Sequence, residues 1–194
     1  MNPAITLPEV TPPQRWRGRL QLLLILAIVI APMLVASAMY HGRFWIPETR
    51  NYHGVLIGNG QTLNDLGAET AESGRWQLLV TAPGACEQEC KQLVYLARQI
   101  NIGLNRDASR ATHALAMSQA LPVDYEAQLQ REYPQLRLYS LHSDDYQAAA
   151  PDVTEPQLWI VDPMGNLVLR YGSQSKGKDV LDDLRHLLKI SQIG

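Results

Sequence analysis

Charge of either sign is missing from one long stretch of this chain. From Leu20 to Tyr40, 21 residues contain no Asp, Glu, Lys or Arg, and no Asp or Glu stands anywhere between Glu9 and Glu48. Cysteine is almost absent as well: Cys86 and Cys90 are the only two. With no third and fourth ligand at suitable spacing, a structural zinc centre is excluded. There is no basic stripe, and the formal net charge is −2, which argues against a nucleic-acid partner. Internal repeats and low-complexity tracts are lacking too.

The uncharged run is what the first absence leaves behind. At about 1.5 Å per residue, Leu20–Tyr40 covers roughly the 30 Å of a bilayer's hydrocarbon core. Pro32 falls inside it, and membrane helices tolerate such a kink. Arg15, Arg17 and Arg19 lie just before the run, so the positive-inside rule keeps the N-terminus in the cytoplasm and exports the rest. Trp16, Tyr40, Phe44 and Trp45 suit interfacial anchors. Ala36-Ser37-Ala38 has the form of a signal-peptide processing site, but the apolar run exceeds the usual ~7–15-residue signal core. We therefore expect an uncleaved anchor in a bacterial-type inner membrane. Both alternatives export the remainder to the periplasm.

The organisation expected is a cytoplasmic tail over 1–19, disordered through residue 14, and a transmembrane helix over 20–40. A juxtamembrane linker and extended lead-in over 41–74 then precede a periplasmic domain over 75–194. The exported part holds about 150 residues, enough for one proper core. It carries −4, since the tail contributes three arginines against one glutamate.

Within that domain the periodicity alternates between strand and helix. Val55-Leu56-Ile57 suits a short strand, and Trp76–Thr81 is a buried one. From Cys90, residues Leu93, Leu96, Ala97, Ile100 and Leu104 follow the spacing of a one-sided helix. Thr112–Met117 and Leu136–Leu141 read as strands, with a short helix over Tyr125–Glu132. Gln157–Val161, a turn at Asp162–Asn166, and Leu167–Tyr171 form a β-hairpin. Val180, Leu181, Leu184, Leu187 and Leu188 mark a terminal amphipathic helix, with Asp179 in its first turn and Lys189 in its last, as the helix dipole prefers. The fold class is α/β, a mixed sheet flanked by helices.

Cys86-Glu87-Gln88-Glu89-Cys90 sits where the first confident strand hands over to a helix. On a helix, positions i and i+4 lie about 6 Å apart, inside the usual disulfide range. The same spacing lets two thiolates reach one soft ion such as Cu(I). A helix N-terminus favours the thiolate, whereas Glu87 and Glu89 oppose it. Three uses stay open: a redox dithiol, a Cu(I) site, and a structural bridge closing a small loop. Among the histidines, His142 in the polar loop His142-Ser143-Asp144-Asp145 is a candidate ligand. His113 and His186 read as structural or exposed, and His41 and His53 flank the membrane segment.

The cysteines after the first core strand, at the head of a helix, resemble the thioredoxin-like superfamily. Pro156, just before the hairpin, stands where that superfamily places a cis-proline facing its dithiol. The run Pro156-Gln157-Leu158-Trp159-Ile160-Val161-Asp162-Pro163-Met164-Gly165-Asn166-Leu167 is similar to the hairpin of its membrane-anchored branches. The three-residue spacing between the cysteines resembles the SCO/SenC proteins, which assemble the copper centre of cytochrome c oxidase. That resemblance implies Cu(I) held by Cys86, Cys90 and a distant histidine, and a membrane oxidase subunit or its assembly factors as partner. The sequence departs from that pattern at the histidine, since counting back from Pro163 reaches Thr154, with His142 twelve residues further upstream. The family's aspartate-rich motif is also replaced, by Ser118-Gln119-Ala120-Leu121-Pro122. The expected role is copper delivery or thiol reduction in oxidase assembly. The alternatives are a general thiol:disulfide oxidoreductase, with Cys86 attacking and Cys90 resolving, and a non-catalytic anchored scaffold.

Overall fold

The computed structural model describes residues 12–42, 52–68 and 74–191. The chain forms two compact units, Met1–Thr49 and Arg50–Gly194. The expected disordered tail over residues 1–11 and the interfacial Phe44 and Trp45 lie outside the described residues.

The first unit is a single helix, α1 (Pro12–Gly42). It starts within the segment expected to be disordered, and the correction has a simple cause. Proline at the first helical positions loses only N–H groups that have no intrahelical partner there, and its φ is preset for the helix. Trp16–Met39 is 24 residues long and holds a strongly apolar window beyond Arg19, about 36 Å in all at helical rise. A helix of this length and hydropathy matches lipid rather than water. The length and composition needed to cross a membrane are both present.

The second unit contains a six-stranded mixed sheet in the order β1-β6-β5-β2-β3-β4. The strands are β1 (Val55–Leu56), β2 (Trp76–Ala82), β3 (Ala111–Met117), β4 (Arg137–Ser140), β5 (Gln157–Val161) and β6 (Leu167–Gly172). β2, β3 and β4 run parallel, while β5 pairs antiparallel with β2, β6 with β5, and β1 with β6. Every residue of β2 is buried, which is why its sequence lacks the alternation of a half-exposed strand.

The helices divide between the two faces of this sheet. Residues of α2 (Gln88–Gly103), α3 (Val123–Glu132) and α5 (Gly177–Ile190) join Leu78, Val80, Leu115, Leu158 and Leu169 in one core cluster. On the other face, Tyr146 of α4 (Ser143–Ala149) packs with Leu63, Leu66, Leu79, Trp159 and Leu167. A 3₁₀ turn, Asn105–Arg110, links α2 to β3.

Two expectations change here. The loop after β4 is the helix α4: Asp144 and Asp145 occupy its first turn, where they complement the dipole, and Pro151 follows its end. The described part of the lead-in is also more than a spacer. β1 pairs with β6, and Leu63, Leu66 and Ala68 are buried in the second cluster.

Candidate redox site at the head of α2

β2 ends at Ala82, and Pro83-Gly84-Ala85 turns the chain toward α2. The turn is tied to the strand beside it. Ser118, just past β3, donates its backbone N–H to Ala82 O at 3.2 Å and its hydroxyl to Pro83 O at 2.6 Å. The Glu87 N–H then reaches Ala85 O at 2.9 Å, and Lys91 N–H closes the first helical turn on Glu87 O at 3.0 Å.

This places the cysteines on either side of the helix start. Glu87 is the N-cap and Gln88 the first residue of α2, so Cys86 precedes the helix and Cys90 lies in its first turn. The helix therefore begins two residues earlier than the apolar spacing implied, because polar Gln88 and Glu89 complete a turn whose buried member is Cys90. The two cysteines form a disulfide with α-carbons 5.1 Å apart. That is shorter than two intrahelical positions would give, since Cys86 stands outside the helix.

Exposure differs slightly between them. Cys90 is fully buried (0 %) and Cys86 keeps 7 % of its surface. Both belong to the core cluster that includes Leu93, Val94 and Tyr125. Both are thus buried, Cys86 less completely than Cys90. Glu87 and Glu89 are solvent-exposed. Lys91 lays its ammonium 4.6 Å from the centre of the Tyr125 ring, and burial, followed by the neighbouring Tyr133, pushes the Tyr125 phenol up to about 12. The Tyr125 hydroxyl itself is therefore neutral at neutral pH.

The other sequence-selected residues fall at different distances from the pair. The β2–β5 register matches Thr81 with Gln157, which sets Pro156 level with Ala82, at the cysteine end of the sheet. Its bond to Glu155 is trans, since no cis peptide occurs among the described residues. This corrects the expected isomer; trans is the lower-energy form of an X–Pro bond. Thr154 is exposed, two residues before Pro156.

His142 is not brought to the cysteines. It caps α4, with its backbone N–H on Gly67 O at 2.8 Å and its Nδ1 3.3 Å from the same oxygen. Its neighbours Leu141 and Tyr146 pack on the face opposite the cysteines. No group of three His, Cys, Asp or Glu side chains among the described residues could hold a metal ion. The donor set at the head of α2 is two sulfurs.

A further cluster went unread in the sequence. Asp183 of α5 is 2 % exposed. It accepts the Tyr171 hydroxyl at 2.6 Å, the His53 backbone N–H at 2.7 Å, the His53 ring at 2.8 Å and the Gly54 N–H at 3.2 Å. Burial alone would raise its pKa, but bonds from Tyr171, His53 and Gly54 hold it below the ordinary value. The available signal was positional: Asp183 lies on the same stripe as Val180, Leu184 and Leu187.

The parallel β2-α2-β3-α3-β4 run, the antiparallel hairpin and the cysteines at the β2–α2 junction define a thioredoxin-like domain. The chain belongs to the transmembrane-like, thioredoxin-like family: residues 76–191 match its C-terminal domain, and residues 12–43 match the transmembrane-like N-terminal domain. It is a membrane-anchored thioredoxin-like protein.

Solved structures with similar folds include copper-bound ScoI from Arabidopsis thaliana, at 11 % identity and a TM-score of 0.49, covering 62 % of this chain and 88 % of that one. Copper-bound yeast Sco1 is similar at 14 % identity and a TM-score of 0.47, covering 61 % and 80 %. The thioredoxin domain of a Bacteroides vulgatus thiol-disulfide oxidoreductase is similar at 18 % identity and a TM-score of 0.42, covering 69 % and 90 %. No curated protein matches the sequence.

Proposed function

We propose that this protein performs thiol–disulfide exchange through Cys86 and Cys90 on the exported side of a cytoplasmic membrane. Its clients are the cysteines of a copper site in a respiratory oxidase under assembly. The observation that carries the exchange chemistry is the disulfide at the β2–α2 junction, with Cys90 fully buried and Cys86 slightly less so. The three-residue spacing of the cysteines, similar to the SCO/SenC pattern, supports that choice of client.

In the reducing direction the Cys86 thiolate attacks a client disulfide, forming a mixed disulfide and expelling one client thiolate. Cys90 then attacks Cys86 Sγ, which releases the second client thiolate and leaves the bridge seen here. The client gains two electrons and this chain loses two, so a thiol donor must restore the dithiol. Cys90 lies in the first turn of α2, fully buried behind Cys86. Burial slows its access to anything except Cys86.

Titration of the full-length chain against a glutathione series, followed by trapping of free thiols, tests the exchange role. A reduction potential above about −300 mV supports it, and a lower one marks a structural bridge. Delivery of Cu(I) is the second reading, favoured by the soft two-sulfur donor set once reduced. It requires Cu(I) binding by the reduced chain that disappears in Cys86→Ser and Cys90→Ser. Binding that survives both changes removes it.

A further inference from the structure

β2 and β3 pair in parallel as far as Ala82 and Met117, and the next residues on the two strands are Pro83 and Ser118. Proline has no backbone N–H to donate, so Pro83 cannot extend the ladder through its nitrogen, and the chain leaves the sheet there. Ser118 takes over the pairing. Its N–H reaches Ala82 O at 3.2 Å, and its hydroxyl lies 2.6 Å from Pro83 O and 3.4 Å from Ala82 O.

Little else restrains the three residues between β2 and Cys86. Among the described residues, Pro83–Ala85 take part in one hydrogen bond from a side chain, the one that Ser118 donates. Ala85 is exposed, Pro83 and Gly84 are half-buried, and a methyl group at Gly84 would meet no atom within 4 Å. The Glu87 N–H on Ala85 O ties the turn to the head of α2 and not to the sheet. The bridge to Cys90 therefore fixes Cys86 from one side, and the Ser118 hydroxyl fixes the turn that carries it from the other.

We propose that Ser118 is a positioning residue for the dithiol: its hydroxyl holds the Pro83–Ala85 turn so that Cys86 stays within bonding reach of Cys90 once the bridge opens. This rests on the exchange role of the pair, and Ser118 acts through the turn. In the oxidised chain the bridge already fixes the turn, so loss of the hydroxyl costs the whole hydrogen bond. In the reduced chain the freed turn gains backbone entropy, which offsets part of that loss. Removing the hydroxyl therefore destabilises the disulfide form more than the dithiol form. It lowers the effective concentration of one thiol at the other and makes the bridge easier to reduce.

The full-length chain, Ser118→Ala and Ser118→Thr can each be equilibrated in detergent micelles with a series of reduced and oxidised glutathione, then quenched by alkylation. Closing the bridge takes two electrons from Cys86 and Cys90 and gives them, with the two thiol protons, to oxidised glutathione, which leaves as two thiols. The net worth of a neutral hydrogen bond corresponds to about a two- to tenfold change in an equilibrium constant. Ser118→Ala should lower the constant for closure by up to that factor, an upward shift in potential of about 10–30 mV. Ser118→Thr keeps the hydroxyl and should stay close to the unaltered chain. Urea unfolding of both redox forms gives a second readout, in which Ser118→Ala should cost the oxidised form more than the reduced one. An unchanged potential in Ser118→Ala, equal losses in the two redox forms, or a Ser118→Thr shift as large as that of Ser118→Ala overturns the proposal. Each of these is a difference from the unaltered chain, whereas the exchange role is tested by the unaltered chain's own potential, so the two can fail separately.

Discussion

Asp183 is the residue whose removal the fold should feel most sharply outside the cysteine site. It is the buried acceptor for donors from the lead-in and from β6. Asp183→Ala leaves the Tyr171 hydroxyl and two backbone N–H groups without their acceptor. A loss of about 2–3 kcal/mol is expected for a buried charged acceptor, read from urea unfolding. The bond to Asp183, and then its charge, raise the His53 pKa above 6.5. The His53 contribution is therefore complete below 6.5 and fades as pH climbs through the raised value. Asp183 is held below its ordinary 3.8, so its share is present above 3.8 and fades as pH falls through the lowered value. Together they put the cluster's largest contribution between pH 3.8 and 6.5. His53→Gln should flatten the alkaline side of the urea midpoint against pH and, by removing the ring's bond to Asp183, weaken the acid side as well; a profile identical to wild type would show that the pair contributes nothing.

At the scale of elements, the head of α2 explains both the site and the limits of reading it in the sequence. The bridge closes a loop of five residues, Cys86 to Cys90, for which chain entropy gives only about 2 kcal/mol. The double variant Cys86→Ala/Cys90→Ala should therefore remain folded, losing about that amount in denaturant unfolding. A collapse of the fold would instead mark the pair as its staple. β2, β3, α3 and the β5–β6 hairpin were legible because their apolar runs are bounded by turn residues, and α5 because its stripe is unbroken. The cysteine pair was legible as position, at the head of α2. α4 was not, since Ser143–Ala149 offers one buried side chain, Tyr146, and so no periodicity to find. The trans bond at Pro156 and the placement of His142 on the far face depend on strand register and sheet side. Neither is encoded within a single segment.

For the whole molecule, the proposed redox role and the proposed orientation constrain one another. A persistent disulfide requires an oxidising compartment, and Cys86 and Cys90 lie on the C-terminal side of the span. Arg15, Arg17 and Arg19 precede the span, whereas Arg43 is the nearest charge after it. With Arg50 also close behind, orientation should depend on a three-to-two excess. Protease added to intact spheroplasts should digest the domain after Arg50 and leave a protected fragment containing the N-terminus. Replacing all three N-terminal arginines with glutamine makes Arg43 the dominant flanking charge, so a substantial fraction should invert and become resistant until the cells are lysed. In that inverted fraction the cysteines face a reducing cytoplasm, and alkylation before lysis should trap them as free thiols. If the unaltered chain resists protease in spheroplasts and its cysteines alkylate freely, the domain faces inward, and the proposed oxidase client on the exported side is untenable.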